Sequence, residues 1–206
     1  MKWIMSASVY ERGRVTKARQ DGSRELISLL ACICTDGTAI PPTLLYKGDS
    51  GDLQDTWIDD VGEGDKAYFG ASSNGWSSNA FGLTWLRKAF RRHTRLKVGK
   101  GYHLLILDGH SSHVNMEFIS KCDELKIILL ILPPHSTHQL QPLDCGFFLP
   151  LSTNYSIALN DILHKGGGSS GITKRNFWII VKRAWIQTCT THNILSSFEK
   201  TGIYPI

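Results

Sequence analysis

His103-Leu-Leu-Ile-Leu-Asp-Gly-His110 and Ile127-Ile-Leu-Leu-Ile-Leu-Pro-Pro134 are the two stretches that decide the fold of this chain. Each holds an apolar run of strand length closed by turn residues. Neither run alternates polar with apolar, so both read as strands buried on two faces, as in a parallel sheet. Between them Phe118, Ile119, Cys122 and Leu125 recur at i, i+1, i+4 and i+7, which is one apolar stripe of a helix. Strand, helix, strand at this length is a βαβ unit with parallel strands.

The unit places two carboxylates. Asp108 stands where the chain leaves the first strand, and Asp144 follows the second strand after the loop Pro133-Pro-His-Ser-Thr-His-Gln-Leu-Gln-Pro142. Ligands of open α/β sheets gather beyond the carboxyl ends of the strands. Two acidic side chains there suit a hard divalent cation. A plainer reading stands beside this one: Asp108 opens a turn with Gly109, and Asp144 sits at or just before a helix start.

Outward from this centre, Leu26 to Thr35 is apolar and β-compatible, and Asp36-Gly37 is a hairpin signal. Thr38 to Lys47 reads as the returning strand. Pro41 and Pro42 near its start suggest an edge strand, because neither can donate a ladder hydrogen bond. Residues 48–66 are acidic and glycine-rich and read as a surface loop anchored by Trp57 and Ile58, with at most one helical turn. Ser77 or Ser78 can cap a helix whose apolar face is Phe81, Trp85, Leu86, Ala89 and Phe90. A further helix carries Phe147, Phe148, Leu151, Tyr155, Leu159 and Leu163, with Pro150 in its first turns. Gly166-Gly-Gly-Ser-Ser-Gly171 reads as a flexible loop. Thr173 and Thr191 each suit the cap of a later helix, and Gly202 suits a helix stop.

The 206 residues are 42% hydrophobic and 20% charged, which is a globular composition. No apolar run approaches the roughly 18 residues that span a bilayer, and Met1-Lys-Trp-Ile-Met5 is too short for a signal-peptide core. The five cysteines are scattered and form no C-x-x-C pair, unlike a disulfide framework or a zinc knuckle. These features predict an intracellular protein in a reducing compartment. The net charge of +5 is unevenly placed. Arg87, Lys88, Arg91, Arg92, Arg95, Lys97 and Lys100 form a run with no acid, while residues 49–65 hold acids and no base. The basic run reads either as a phosphate-tracking surface or as a solvated helix face. His110 with His113 and His135 with His138 make two H-x-x-H pairs in turns. Without an H-E-x-x-H helix they read as loop-orienting or phosphate-facing groups sooner than as zinc ligands. No Walker, Rossmann or G-x-S-x-G pattern is present.

Leu104-Leu-Ile-Leu-Asp-Gly-His-Ser-Ser-His113 followed by Leu132-Pro-Pro-His-Ser-Thr-His-Gln-Leu-Gln-Pro-Leu-Asp144 resembles the core of the DDE superfamily endonucleases. The similarity is to the pogo and Tigger branch of the mariner-like cut-and-paste transposases, fungal members above all. Asp21-Gly-Ser-Arg-Glu25, Asp36-Gly-Thr-Ala-Ile-Pro-Pro42, Asn74-Gly-Trp76 and Thr201-Gly-Ile-Tyr-Pro205 resemble further signposts of that family. The resemblance implies a ribonuclease-H-like α/β fold, a mixed sheet flanked by helices with a helical C-terminal tail. Residues 1–165 would be a partial endonuclease domain and 166–206 its glycine-rich loop and helical extension. It implies Asp108 and Asp144 as second and third catalytic acids holding Mg²⁺ or Mn²⁺. It also implies DNA as partner, through Arg87, Lys88, Arg91, Arg92 and Arg95, with a homodimer and a nuclear location as further expectations. One departure stands out: the family's first acid lies upstream of the Gly-Ser-Arg-Glu signpost, and neither Glu11 nor Asp21 has the matching context. The expectation is therefore a chain truncated before its first acid and its central strand, inactive alone. The alternative is a domesticated DNA- or protein-binding module without catalysis.

Overall fold

The computed structural model describes residues 27–48, 50–73, 79–108, 115–165 and 172–205. The N-terminal 26 residues, the two predicted serine caps, His110, His113 and the glycine-rich loop lie outside them.

β1 (Ile27–Leu30) runs antiparallel to β2 (Thr43–Lys47), and β2 runs parallel to β3 (Tyr68–Ser72). The turn between β1 and β2 is the predicted Asp36-Gly37 turn. Cys34 N–H donates to the Thr38 carbonyl at 2.8 Å, and Asp36 Oδ1 accepts from Thr38 N–H and Oγ1–H. Gly37 takes φ +81°, and a Cβ there would meet Thr191 Cγ2 at 2.6 Å. Two expectations change here. The strand following the prolines is the middle strand of the order β1-β2-β3, not an edge. Both prolines precede Thr43, and Pro42 enters the ladder only through its carbonyl, which accepts from Tyr68 N–H at 2.9 Å. A missing N–H therefore costs nothing at that point. β3 itself is a strand that no pattern announced. Its central Gly70 breaks the apolar run, and a Cβ there would lie 2.8 Å from Phe81 Cε2.

β4 (His103–Leu107), α3 (Met116–Glu124) and β5 (Ile127–Ile131) form the expected βαβ unit, with β4 and β5 parallel from His103↔Ile127 to Leu107↔Ile131. Asn115 caps α3 through Phe118 N–H at 2.8 Å. Among the described residues the two sheets share no ladder. The chain is thus a mixed α/β protein with small sheets, compatible with a ribonuclease-H-like arrangement.

Preceding β4 is one helical stretch: α1 (Asn79–Trp85), a π turn (Leu86–Phe90) and α2 (Arg91–Val98). After β5 come α4 (Thr137–Leu140), a second π turn (Leu143–Phe147), α5 (Phe148–Lys165), α6 (Lys174–Thr188) and α7 (Thr191–Glu199). Pro150 explains part of the second π turn, since it has no N–H to offer the Gly146 carbonyl and the helix begins wide. Thr173 and Asn176 form a reciprocal capping box on α6. The cap of α7 is Thr190, one residue before the expected Thr191, and its side chain accepts from Asn193 N–H at 3.2 Å.

Two cores result. The first gathers Leu44, Tyr46 and Trp57 with Phe147, Leu151, Tyr155, Trp178, Trp185 and Phe198. Helices from both sides of the glycine-rich loop share it. The second gathers Ile40, Leu86, Phe90, Leu105, Phe118, Cys122 and Ile127. The expectation that β4 and β5 are buried on both faces fails. Leu104, Ile128 and Leu130 are 57%, 54% and 45% exposed. The helices α1 to α3 cover the face of Leu105 and Ile127, whereas α5 to α7 gather over β2 and leave the opposite face of the βαβ sheet open.

Candidate metal centre and nucleic-acid interface

Asp108 is half-buried immediately after Leu107, at the carboxyl end of β4. Leu132 N–H donates to the Leu107 carbonyl at 2.9 Å, which ties that end to the exit of β5. From Leu132 the loop folds on itself. Ser136 Oγ donates to the Pro133 carbonyl at 2.8 Å, His135 takes φ +60°, and Gln139 N–H donates to the Ser136 carbonyl at 3.0 Å. Asp144 lies inside the second π turn, with its own N–H donated to the Gln141 carbonyl at 3.0 Å. It is therefore in the first turn of a helix, where a carboxylate is electrostatically favoured. π turns recur at functional sites, and this one is pinned. A Cβ on Gly146 would lie 2.7 Å from Ser197 Cα and 2.5 Å from Ser197 Oγ. The turn's backbone thus rests directly on α7. Asp108 comes from the strand of the second core and Asp144 from the helix that enters the first.

Neither carboxylate has a hydrogen-bond or ion-pair partner among the described residues. The field of Asp144 is felt nearby. Burial first, then the Asp144 charge, pushes the Cys145 thiol up. Half-buried carboxylates without a protein counter-charge are the donor type that hard divalent cations take. The residues present therefore fit such an ion. No group of three or more His, Cys, Asp or Glu suited to a metal occurs among the described residues. His135 and His138 are both exposed, and no zinc cluster forms around them.

The basic run sorts into two kinds. Arg91 Nη1 donates to the Leu125 carbonyl at 3.1 Å, closing the end of α3. Lys97 pairs with Asp36 at 2.7 Å and also donates to Thr38 Oγ1, holding the hairpin tip to α2. Arg87, Lys88, Arg92 and Arg95 are exposed and have no ion pair among the described residues. Arg87 and Lys88 stand on the first π turn.

The acidic loop has a partner that sequence reading missed. Arg175 lies 3.6 Å from Asp59 and 3.9 Å from Asp60, and Lys174 Nζ sits 4.2 Å from the centre of the Trp57 ring. Asp65 is paired with Lys182 and accepts from Trp178 Nε1–H at 2.8 Å. The charges on α6 were visible in the sequence, but their pairing across more than a hundred residues was not.

A βαβ unit with an acid at its carboxyl end, a second acid on the next helix and a neighbouring basic helix define an α/β nuclease-type domain. The chain belongs to the DDE superfamily endonucleases, whose family model matches residues 23–198. Among curated proteins it is 36% identical over 195 residues to the MFS-type transporter clz9 of Cochliobolus lunatus, covering 95% of this chain and 20% of that protein. It is 25% identical over 186 residues to the pogo transposable element with KRAB domain of Homo sapiens, covering 86% of this chain and 29% of that protein. The Mus musculus protein of the same name matches equally. The chain thus spans between a fifth and three-tenths of the curated relatives it matches. Among the described residues no helix is long and apolar enough to cross a membrane. No solved structure matches.

Proposed function

We propose that this chain is the catalytic-domain portion of a pogo-type transposase, acting on phosphodiester bonds of nuclear DNA, with Asp108 and Asp144 as two of its metal ligands. The observation that carries this reading is the pair of half-buried carboxylates without protein partners, set within a chain of the DDE family. Divalent ions, when bound, would supply the Lewis acidity that activates a water or a 3′-hydroxyl and stabilises the leaving oxygen. Asp108 and Asp144 would hold such ions. Arg87, Lys88, Arg92 and Arg95 would hold the phosphate backbone, leaving Arg91 as an internal brace. His135 and His138, exposed on the intervening loop, face solvent where a phosphate could be met.

No third carboxylate joins the pair among the described residues. The expected behaviour of the isolated chain is therefore weak metal binding and little cleavage. The test is a thermal-shift titration with Mn²⁺ alongside a nicking assay on supercoiled DNA. Wild type should gain thermal stability with Mn²⁺, because a ligand bound only by the folded state stabilises it. Asp108→Ala and Asp144→Ala should each abolish that gain. Cleavage that persists in Asp108→Ala would overturn the assignment. The second reading, a binding module without catalysis, is favoured by the four unpaired cations, which need no metal. It holds if DNA binding is salt-dependent and indifferent to both aspartates.

A further inference from the structure

One cleft is left unused by the metal and helix readings. It lies between the hairpin's return, the loop before β3 and α6, and encloses about 290 Å³. Pro41, Trp178, Trp185 and Ile186 make its apolar wall. The wall is held in place. Phe69 stands edge-on to Trp178 at 5.4 Å between ring centres, and Phe147 stands edge-on to Trp185 at 5.6 Å. The Trp178 indole N–H is fixed by Asp65 at 2.8 Å. The volume lies at the lower end of small-ligand pockets, which start at roughly 300 Å³. One planar ring system fits; a larger ligand does not.

The polar rim is cationic once internal pairing is counted. Asp65 is neutralised by Lys182, while Lys66 is exposed and has no ion pair among the described residues. Lys66 is also near the basic helix. Burial, followed by the charges of Arg92, Lys66 and Lys97, holds the His93 imidazole below its ordinary value. The mouth of the cleft and the C-terminal part of the basic helix therefore share one positive field. A ligand that suits both parts is a flat, largely apolar ring joined to a phosphate.

We propose that this cleft receives one unpaired nucleobase of a DNA strand whose phosphates pass Lys66 on their way to Arg92. The site rests on the reading of the chain as DNA-binding. Contact between a base and aromatic walls tolerates any base, so the cleft recognises strandedness and not sequence.

The test uses the whole chain and two probes. One is a blunt duplex; the other is the same duplex with a short single-stranded overhang carrying 2-aminopurine at one unpaired position. The overhang probe should bind about tenfold more tightly than the blunt one. Its fluorescence should fall on binding, because indoles quench the stacked base. Ile186→Trp fills the mouth from a position that is 61% exposed, so folding is spared. It should erase both the preference and the fluorescence change while leaving blunt-duplex affinity intact. Lys66→Ala should weaken overhang binding about threefold. Equal affinities for the two probes overturn the proposal, as does a preference that survives Ile186→Trp. So does an acidic, aromatic-bearing peptide that occupies the cleft in fluorescence titration while overhang DNA fails to displace it. Loss of all binding, blunt duplex included, would sink the wider DNA reading instead.

Discussion

Gly146 shows what a single atom decides. The π turn bearing Asp144 lies so close to α7 that an added methyl would meet the Ser197 backbone at 2.7 Å. Backbone cannot move aside as a flexible side chain can, so Gly146→Ala should cost about 3 kcal/mol through overpacking and displace Asp144. Gly82→Ala is the control. Its new Cβ meets Phe118 at 3.7 Å, an ordinary contact, within a helix. That change should stabilise by about 0.5–1 kcal/mol. Urea denaturation of the two variants reads both signs. Asp65 is the other residue whose setting matters. Lys182 first, then the Trp178 N–H, holds its carboxyl below the ordinary aspartate value of 3.8. The folded state therefore binds this proton less readily than the unfolded chain. Its contribution is complete above pH 3.8 and is lost as pH falls through the lowered folded value. Asp65→Asn should lower stability by about 2 kcal/mol at neutral pH. It should also flatten the acid limb of a stability-against-pH curve below pH 3.8. An unchanged acid limb would contradict the pairing.

At the scale of elements, the caps separate near-identical neighbours. Thr190 and Thr191 both look like N-caps in the sequence, yet only Thr190 receives Asn193 N–H. Thr190→Ala should cost about 1 kcal/mol, and Thr191→Ala less than about 0.5 kcal/mol, by thermal unfolding. The reverse order would place the helix start one residue later. The acidic loop and α6 likewise form one unit. Trp57 is buried, stacks on Tyr46 at 5.6 Å and lies under Lys174, so the loop is anchored by an aromatic plug as well as by charge. The exposed Arg175–Asp59 and Arg175–Asp60 contacts add little to that, since surface pairs in water are weak.

Over the whole molecule, the basic run divides into bracing and free cations, and DNA binding should divide the same way. Replacing Arg87, Lys88, Arg92 and Arg95 together with Gln should lower affinity for duplex DNA. The slope of log K against log salt should fall by about 0.9 per phosphate contact removed. Lys97→Gln should act on stability instead, because Lys97 holds the Asp36 turn to α2. A salt slope unchanged by the fourfold replacement would move the DNA interface elsewhere. The open face of the βαβ sheet belongs to this scale too. Leu104, Ile128 and Leu130 form an apolar surface because the later helices cover β2 and not β4.

Short-range chemistry made much of this protein readable from its residues. Unbroken apolar runs announced β4 and β5, a 3.6-residue stripe announced α3, and Asp-Gly announced the hairpin tip. The two aspartates were legible because a strand end and a helix start are local features. Tertiary structure alone decided that β2 is central, that β3 exists, and that one face of β4 and β5 stays open. It also decided that Arg91 and Lys97 are held by internal partners, and that Asp65 meets a tryptophan 113 residues away. Periodicity and turn chemistry act over a few neighbouring residues. Burial and charge pairing depend on which distant segments the completed fold brings into contact.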